Sequence, residues 1–386
     1  MLVLLCQVCH GLTLVGVPLF LPLIREDLQI TFTQAGALAV AATLSYALGQ
    51  VPAGYLADRY GPGRLFGIGL IGWSVLSAAL GLIDSFWLAL LDQFVAGAFR
   101  ALLFAPGLTL LASWFPPERR ATAMSLFMVG GFSGNILLSL TGPLLASHYG
   151  WRAAFIFYAV LGVGAALAFL SFTRETPRKA PTRQFAIAEA LRLFRHRILW
   201  ICGALQFIRF SAVTGFIFWL PSFLVADRGL SLQAAGLVAA MSAAFSVTSN
   251  AFGGYVSDRL QNPPLIIGGS LAVLACATAL LVRVDSTPML LLVIAAGSIS
   301  LQFYFGPLFL VPMEVLGQRA AGTATGIGNL FANVGGLTTA YALGYIKDHT
   351  GSFTWGFTGI SVLCLIGVVL SAVLARMRKR ALALRE

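Results

Sequence analysis

Apolar stretches of about 20 residues follow one another along the whole chain, and that feature excludes most folds. Such a stretch suffices for a helix to cross the hydrocarbon of a bilayer, where each backbone polar group must be paired internally. The sequence predicts crossings at roughly 2–23, 34–57, 65–84, 86–114, 121–147, 152–172, 198–225, 232–256, 264–282, 287–314, 320–346 and 353–375, numbered here as spans 1 to 12. Of the 386 residues only 10% are charged and 58% are hydrophobic, whereas a soluble chain is about a quarter charged. The expected class is an all-α membrane protein with twelve transmembrane helices. Span 1 begins almost at Met1 but has no basic n-region, and no small-residue cleavage site before Arg25. It therefore reads as a crossing, and the missing polar tail before it points to a true start further upstream.

A net charge of +11 would suit a nucleic-acid partner if the basic residues were clustered. They sit instead between the apolar stretches, so no nucleic-acid partner is expected. With the N-terminus placed inside, five of the 25 lysines and arginines fall on the outer side (Arg25, Arg152, Arg228, Arg283 and Lys347), Arg100 and Arg209 lie within spans, and the other eighteen are cytoplasmic. That asymmetry puts both termini in the cytoplasm of a cell whose inner (plasma) membrane holds the chain. The five cysteines all lie in apolar runs. Cys6 and Cys9 have CxxC spacing but no second pair, so they read as packing residues and no metal is expected. GxxxxGK[ST] is absent, so no nucleotide or other cofactor is implied and the energy source must be a gradient. No nucleophile with a matching base is visible, and the chain is not expected to be an enzyme.

The longest polar break, 173–197, opens with the linker-like run Thr173-Arg174-Glu175-Thr176-Pro177. Further on, Phe185, Ala188, Leu191 and Phe194 share a helical face beside Arg192 and Arg195, the pattern of an amphipathic helix lying on an anionic inner leaflet. This break divides the chain into a first six-helix bundle at 1–172, a cytoplasmic linker at 173–197, and a second bundle with a short basic tail at 198–386.

The two halves repeat at a period of about 200 residues. Gly54-Tyr55-Leu56-Ala57-Asp58-Arg59 recurs as Gly254-Tyr255-Val256-Ser257-Asp258-Arg259, and Phe104-Ala105-Pro106 as Phe305-Gly306-Pro307. Ala121-Thr122-Ala123 recurs as Gly322-Thr323-Ala324, and Leu21-Pro22 as Leu220-Pro221. The last offset, 199, pairs Gln7 with Gln206 and His10 with Arg209. A pseudo-twofold relation between two six-helix bundles is expected.

The run Gly54-Tyr55-Leu56-Ala57-Asp58-Arg59-Tyr60-Gly61-Pro62-Gly63-Arg64, with its second-half copy, resembles the loop 2–3 signature of the major facilitator superfamily. The resemblance covers the whole chain. It implies that spans 1, 4, 7 and 10 line a central cavity that opens to either side in turn as the bundles rock. Finer likeness is to the organic-anion members, the anion:cation symporters and organophosphate antiporters. It rests on Trp114-Phe115-Pro116-Pro117-Glu118-Arg119, on Gly322-Thr323-Ala324-Thr325-Gly326, on Asp348-His349-Thr350-Gly351-Ser352-Phe353, and on the stretch from Arg209 to Pro221. The same likeness implies that Arg209, twelve residues before Pro221, binds the substrate anion. The chain departs from these relatives at Gln93, where they carry an arginine, at Arg100, where symporters carry an acid, and at Thr13-Leu14, where symporters carry Asp-Arg. The usual proton-coupling acid is thus missing from its usual place.

Arg100 and Arg209 fall near the middle of spans 4 and 7, where an unpaired arginine costs at least about 2.5–3.5 kcal/mol. A wet cavity, an acid or an anion must offset that cost. Two guanidinium forks suit a carboxylate or phosphate, with Asp92 and Glu314 as the candidate internal acids. Gln7 and His10, and Gln206 and Arg209, are three residues apart and share helical faces. Gln93 projects like Arg100, and Gln302 and Tyr304 sit at mid-depth in span 10. These eight residues are the candidate substrate contacts. His10, the one histidine inside a span, is the candidate proton-coupling group. Asp58, Arg59 and Arg64, with Asp258 and Arg259, form an expected gating latch, since the resemblance sets Asp58 on the positive N-terminus of span 11. The reading is a monomeric secondary transporter of a small organic anion, driven by a proton or a counter-anion. An exporter of drugs or other amphipathic solutes, and a transporter-like sensor, are the alternatives.

Overall fold

A computed structural model describes residues 2–173, 196–316 and 321–383. The expected amphipathic linker helix, with Phe185, Ala188, Leu191 and Phe194, lies outside the described residues. All regular structure among the described residues is helical. The first part of the chain forms α1 (Leu2–Leu14), α2 (Gly16–Leu28), α3 (Phe32–Tyr60), α4 (Pro62–Leu80), α5 (Phe86–Trp114) and α6 (Pro117–Phe172). The second forms α7 (Arg197–Thr214), a π-helical turn (Gly215–Trp219), α8 (Leu220–Ala226), α9 (Leu232–Leu260), α10 (Pro263–Leu281), α11 (Thr287–Phe303), α12 (Phe305–Leu316), α13 (Ala321–Thr350) and α14 (Thr354–Ala383).

Ten stretches among the described residues are long and apolar enough to cross a membrane. One of them, Leu126–Phe172, runs for 47 residues. It is far longer than one crossing needs, and its helix is broken at Gly150, which has φ 82°. That conformation is open to glycine and strained for a side chain bearing Cβ. α1 and α2 form one stretch, Leu2–Leu28, with a bend at Val15. The π-helical turn precedes Pro221, which has no N–H to give to an α-helical ladder.

Helix ends follow their local chemistry. Thr31 caps α3 in a reciprocal box: its hydroxyl accepts from the Gln34 N–H at 3.1 Å, and the Gln34 Oε1 accepts from the Thr31 N–H at 2.9 Å. Gly61 turns α3 into α4 with φ 94°. At the matching turn after α9 the left-handed residue is Gln261, with φ 50°. Its amide donates to the Asp258 carbonyl, which helps offset the cost of that conformation.

Contacts divide the chain into two compact units, Met1–Arg183 with Leu220–Ala240, and Gln184–Trp219 with Met241–Glu386. Lipid tails are as apolar as leucine, so helices associate through close packing of small residues and through polar ties. In the first unit α1 lies against α6, and a Cβ on Gly134 would run into the Val8 carbonyl and lie 2.8 Å from the Gly11 Cα. In the second unit α7 lies against α13, and a Cβ on Gly335 would run into the Phe207 carbonyl. Val8 and Phe207 are separated by the same 199 residues as the Gln7–Gln206 pair.

Arg152 ties one end of the first unit together. Its Nε donates to Asp27 at 3.0 Å, its Nη2 to Asp84 at 2.6 Å and its Nη1 to the Ile83 carbonyl at 2.9 Å. The neighbouring Trp151 indole donates to the same Asp27 oxygen at 3.0 Å. In the second unit Arg378 of α14 grips Glu314 of α12 with both Nε (2.6 Å) and Nη2 (3.2 Å).

Candidate functional site

Each unit holds its own set of polar side chains inside apolar helices. In the first unit α1 carries Gln7 and His10, 6% and 7% exposed. Their placement follows from the glycine contact. The small residues on α6 let α1 approach until the Gln7 side chain lies over Gly130 and Gly131. Among the described residues the Gln7 Oε1 has no hydrogen-bond partner, and neither has either ring nitrogen of His10. The His10 ring meets Trp73 of α4 edge-on, with centroids 5.6 Å apart. Trp73 also donates from Nε1 to Thr13 Oγ1 at 2.6 Å, and that hydroxyl donates to the His10 carbonyl at 3.1 Å. Thr13 thus serves as an interhelix tie that holds α1 against α4.

On α5, Gln93 is buried and donates from Nε2 to Asp92 Oδ2 at 3.1 Å. The other Asp92 oxygen has no partner. Two turns on, Arg100 is half-buried, with its guanidinium carbon 4.4 Å from the centre of the Tyr46 ring, a cation–π contact in place of an ion pair.

In the second unit Arg209 is 4% exposed. Its Nε donates to Gln206 Oε1 at 2.9 Å, the three-residue spacing on α7 serving to aim the fork. The guanidinium carbon is 4.8 Å from the Phe305 ring centre and 5.7 Å from that of Phe210. Tyr304 occupies the break between α11 and α12, wholly buried, and its hydroxyl has no partner among the described residues. Gln302, two residues before it, is half-buried.

The two candidate acids are engaged elsewhere: Glu314 with Arg378, and Asp92 with Gln93. Among the described residues no carboxylate pairs with Arg100 or Arg209. Two cations inside apolar helices are therefore stabilised by aromatic faces and a glutamine, which leaves the outward N–H groups of each guanidinium available to an oxyanion. Sequence reading did not identify Tyr46 as the ring beneath Arg100, or Asn135 of α6, whose Oδ1 is buried without a partner. Neither position carries a signal beyond being polar within an apolar run.

Of the expected latch, the Asp58 side chain lies outside the described residues. Arg59, Arg64, Asp258 and Arg259 are exposed near the ends of α3, α4 and α9. Arg259 donates to the Tyr255 hydroxyl at 3.4 Å, one turn back on its own helix.

Residues 3–340 match the family description of the Major Facilitator Superfamily. The "Probable sulfoacetate transporter SauU" of Cupriavidus necator is 26% identical, with 92% of this chain and 88% of that protein covered. The "Probable galactarate/D-glucarate transporter GudP" of Bacillus subtilis is also 26% identical, with the same shares covered. In structure the chain is similar to a bacterial homolog of the human lysosomal transporter Spinster, solved in an inward-facing and unoccupied conformation. The TM-score is 0.79 and the identity 20%, over 98% of this chain and 96% of that one.

Proposed function

We propose that this chain, which belongs to the Major Facilitator Superfamily, is a secondary active carrier that moves a small organic anion across the membrane by alternating access. Multi-pass transport and the absence of an enzymatic role follow from the family, and the names of the similar proteins, sulfoacetate and galactarate/D-glucarate transporters, favour an organic acid. The observation that carries the anion reading is Arg209: a buried guanidinium within a span, aimed by Gln206, with no carboxylate partner among the described residues. A carboxylate or phosphate ester would supply the missing charge. Arg209, Gln206, Gln302 and Tyr304 in one unit, and Gln7, His10, Gln93 and Arg100 in the other, are the proposed substrate contacts.

The finer architecture is proposed on the same footing. Twelve crossings follow from the ten long apolar stretches if Leu126–Phe172 is two crossings hinged at Gly150 and α13 is one more. Six fall at 1–172 and six at 198–386, on either side of a cytoplasmic linker at 173–197, and the recurring Gly134 and Gly335 contacts support a pseudo-twofold relation. The excess of lysine and arginine in alternate loops supports cytoplasmic termini in the inner membrane. The carrier is taken to act as a monomer, driven by a proton or a counter-anion gradient, with His10 as a proton-coupling residue.

The test is a thermal-stabilisation screen on purified protein with carboxylates, phosphate esters and organic cations, followed by uptake into liposomes. Saturation by a bound anion at about 100 times its dissociation constant contributes roughly 2.7 kcal/mol to apparent stability. Organic acids should raise the midpoint and accumulate in the lumen. Stabilisation by organic cations alone would replace this reading with that of an amphipathic-solute exporter. Binding without accumulation would make the chain a sensor.

Asp58, with Arg59, Arg64, Asp258 and Arg259, is the proposed latch of the inner gate. Asp58→Asn should slow uptake several-fold, roughly the effect of losing about 1 kcal/mol from one gate state, with substrate affinity little changed. Cysteines introduced along the cytoplasmic half of α5 should label faster in the variant. Equal labelling in both proteins would remove Asp58 from the gate.

A further inference from the structure

Asp92 is the one acidic residue among the described residues that is buried, 6% exposed, within a predicted crossing. The other acids inside the described helices or beside them are either exposed or engaged, such as Asp27 and Asp84 with Arg152 and Glu314 with Arg378. Among the described residues Asp92 has no cationic partner. One oxygen accepts from Gln93 and the other has no partner. The elements packed against α5 bring no titratable group to its depth. α3 has none from Phe32 until Tyr46, and α4 has none beyond Arg64, at its opposite end. On α6, Arg152 is held by Asp27 and Asp84, Tyr158 shares a hydrogen bond with Thr141 at 2.7 Å, and His148 and Tyr149 are exposed. On α5 itself the nearest is Arg100, eight residues further along the helix, or about 12 Å at 1.5 Å per residue.

A carboxyl inside a membrane helix is costly to keep and persists where it serves an ion or proton path. This one is joined by a side-chain hydrogen bond to Gln93, a proposed substrate contact. We propose that Asp92, in place of His10, binds and releases the co-transported proton and that Gln93 couples its charge to substrate. The inference rests on the anion-carrier reading. An amide N–H binds a carboxylate more strongly than a carboxylic acid. When a proton from water bonds to an Asp92 oxygen, the hold on the Gln93 amide weakens and the amide is free to donate to the anion. When the proton leaves to water on the other side, the amide returns to Asp92 and the anion loses a donor. Proton and anion each favour the other's binding, as reciprocal linkage requires, and one proton crosses with the anion.

The experiment uses liposomes holding the full chain and radiolabelled D-glucarate, with two readouts: exchange against unlabelled D-glucarate without a gradient, and uptake driven by an imposed inward proton gradient. The parent should show both. Asp92→Asn should keep exchange within about twofold and lose at least tenfold of the gradient-driven rate, and Asp92→Glu should recover most of it. A gradient response that survives in Asp92→Asn overturns the proposal, also where His10→Gln abolishes the response instead. If the parent exchanges no D-glucarate, the anion reading fails for this probe. Asp92 is then judged, as it is if Asp92→Asn does not fold, on the parent protein with a hydrophobic carbodiimide, which reacts with protonated carboxyls. Modification of Asp92 that fades as pH rises supports the assignment, and an Asp92 that stays unmodified at every pH overturns it.

Discussion

Arg209→Gln abolishes anion transport while leaving the protein inserted and folded. Removing one partner from a buried, hydrogen-bonded charge pair costs about 2–5 kcal/mol, so uptake at fixed substrate should fall on the order of 100-fold or more. The protein itself should tolerate the change. Among the described residues Arg209 has no carboxylate partner to strand, and glutamine can still meet Gln206 one turn back on α7. Arg209→Lys should recover little. An ammonium could not donate to Gln206 and at the same time present two parallel N–H groups to an oxyanion, nor would it stack as well between Phe305 and Phe210. The measurement is uptake of the stabilising anion into liposomes, with the elution profile of the purified variant as the control for folding. Full transport by Arg209→Gln would remove Arg209 from the site. Arg100→Gln should behave the same way, and a loss of folded protein there would assign Arg100 to packing against Tyr46.

Gly134→Val prevents α1 from docking on α6. Its added Cβ meets main-chain atoms, the Val8 carbonyl with the Gly11 Cα and the Leu12 nitrogen, so no change of rotamer can relieve the clash. Overpacking of a tight contact costs about 1–3 kcal/mol and sometimes more. Here the upper end is expected, because two helices must separate along their axes. Helix separation would also move Gln7 and His10, which ride on α1. The melting midpoint should fall by about 6–12 °C at roughly 2–4 °C per kcal/mol, or folded protein should be lost. Gly335→Val should do the same in the second unit by striking the Phe207 carbonyl. Gly164→Val is the control: a Cβ there meets no described atom within 4 Å, and its stability should match the parent. Parent-like stability of Gly134→Val would mean that α1 and α6 stand further apart than described here.

The helical class, the positions of most long apolar helices and the two arginines inside them were legible in the residues alone. In hydrocarbon the backbone has few ways to satisfy itself, so apolar length specifies a helix almost regardless of side-chain detail. The cost of a charge there makes Arg100 and Arg209 conspicuous without any knowledge of their neighbours. The capping box at Thr31 and Gln34 and the turn at Gly61 are local chemistry of the same kind. Partnerships between helices were decided only by the tertiary structure. A helix that is apolar all round has no amphipathic stripe to mark its inward face, and nothing in the spacing says which small residues will meet. Glu314 was a candidate partner for the arginines until the fold brought Arg378, 64 residues away in sequence, to within 2.6 Å. Asp92 turns to its neighbour Gln93, and Thr13 is used by Trp73. The bend at Val15 and the break at Tyr304 depend on what packs around them as much as on their own residue types. Close packing assigns these contacts, because in lipid it replaces the hydrophobic burial that makes facing surfaces readable in a soluble chain.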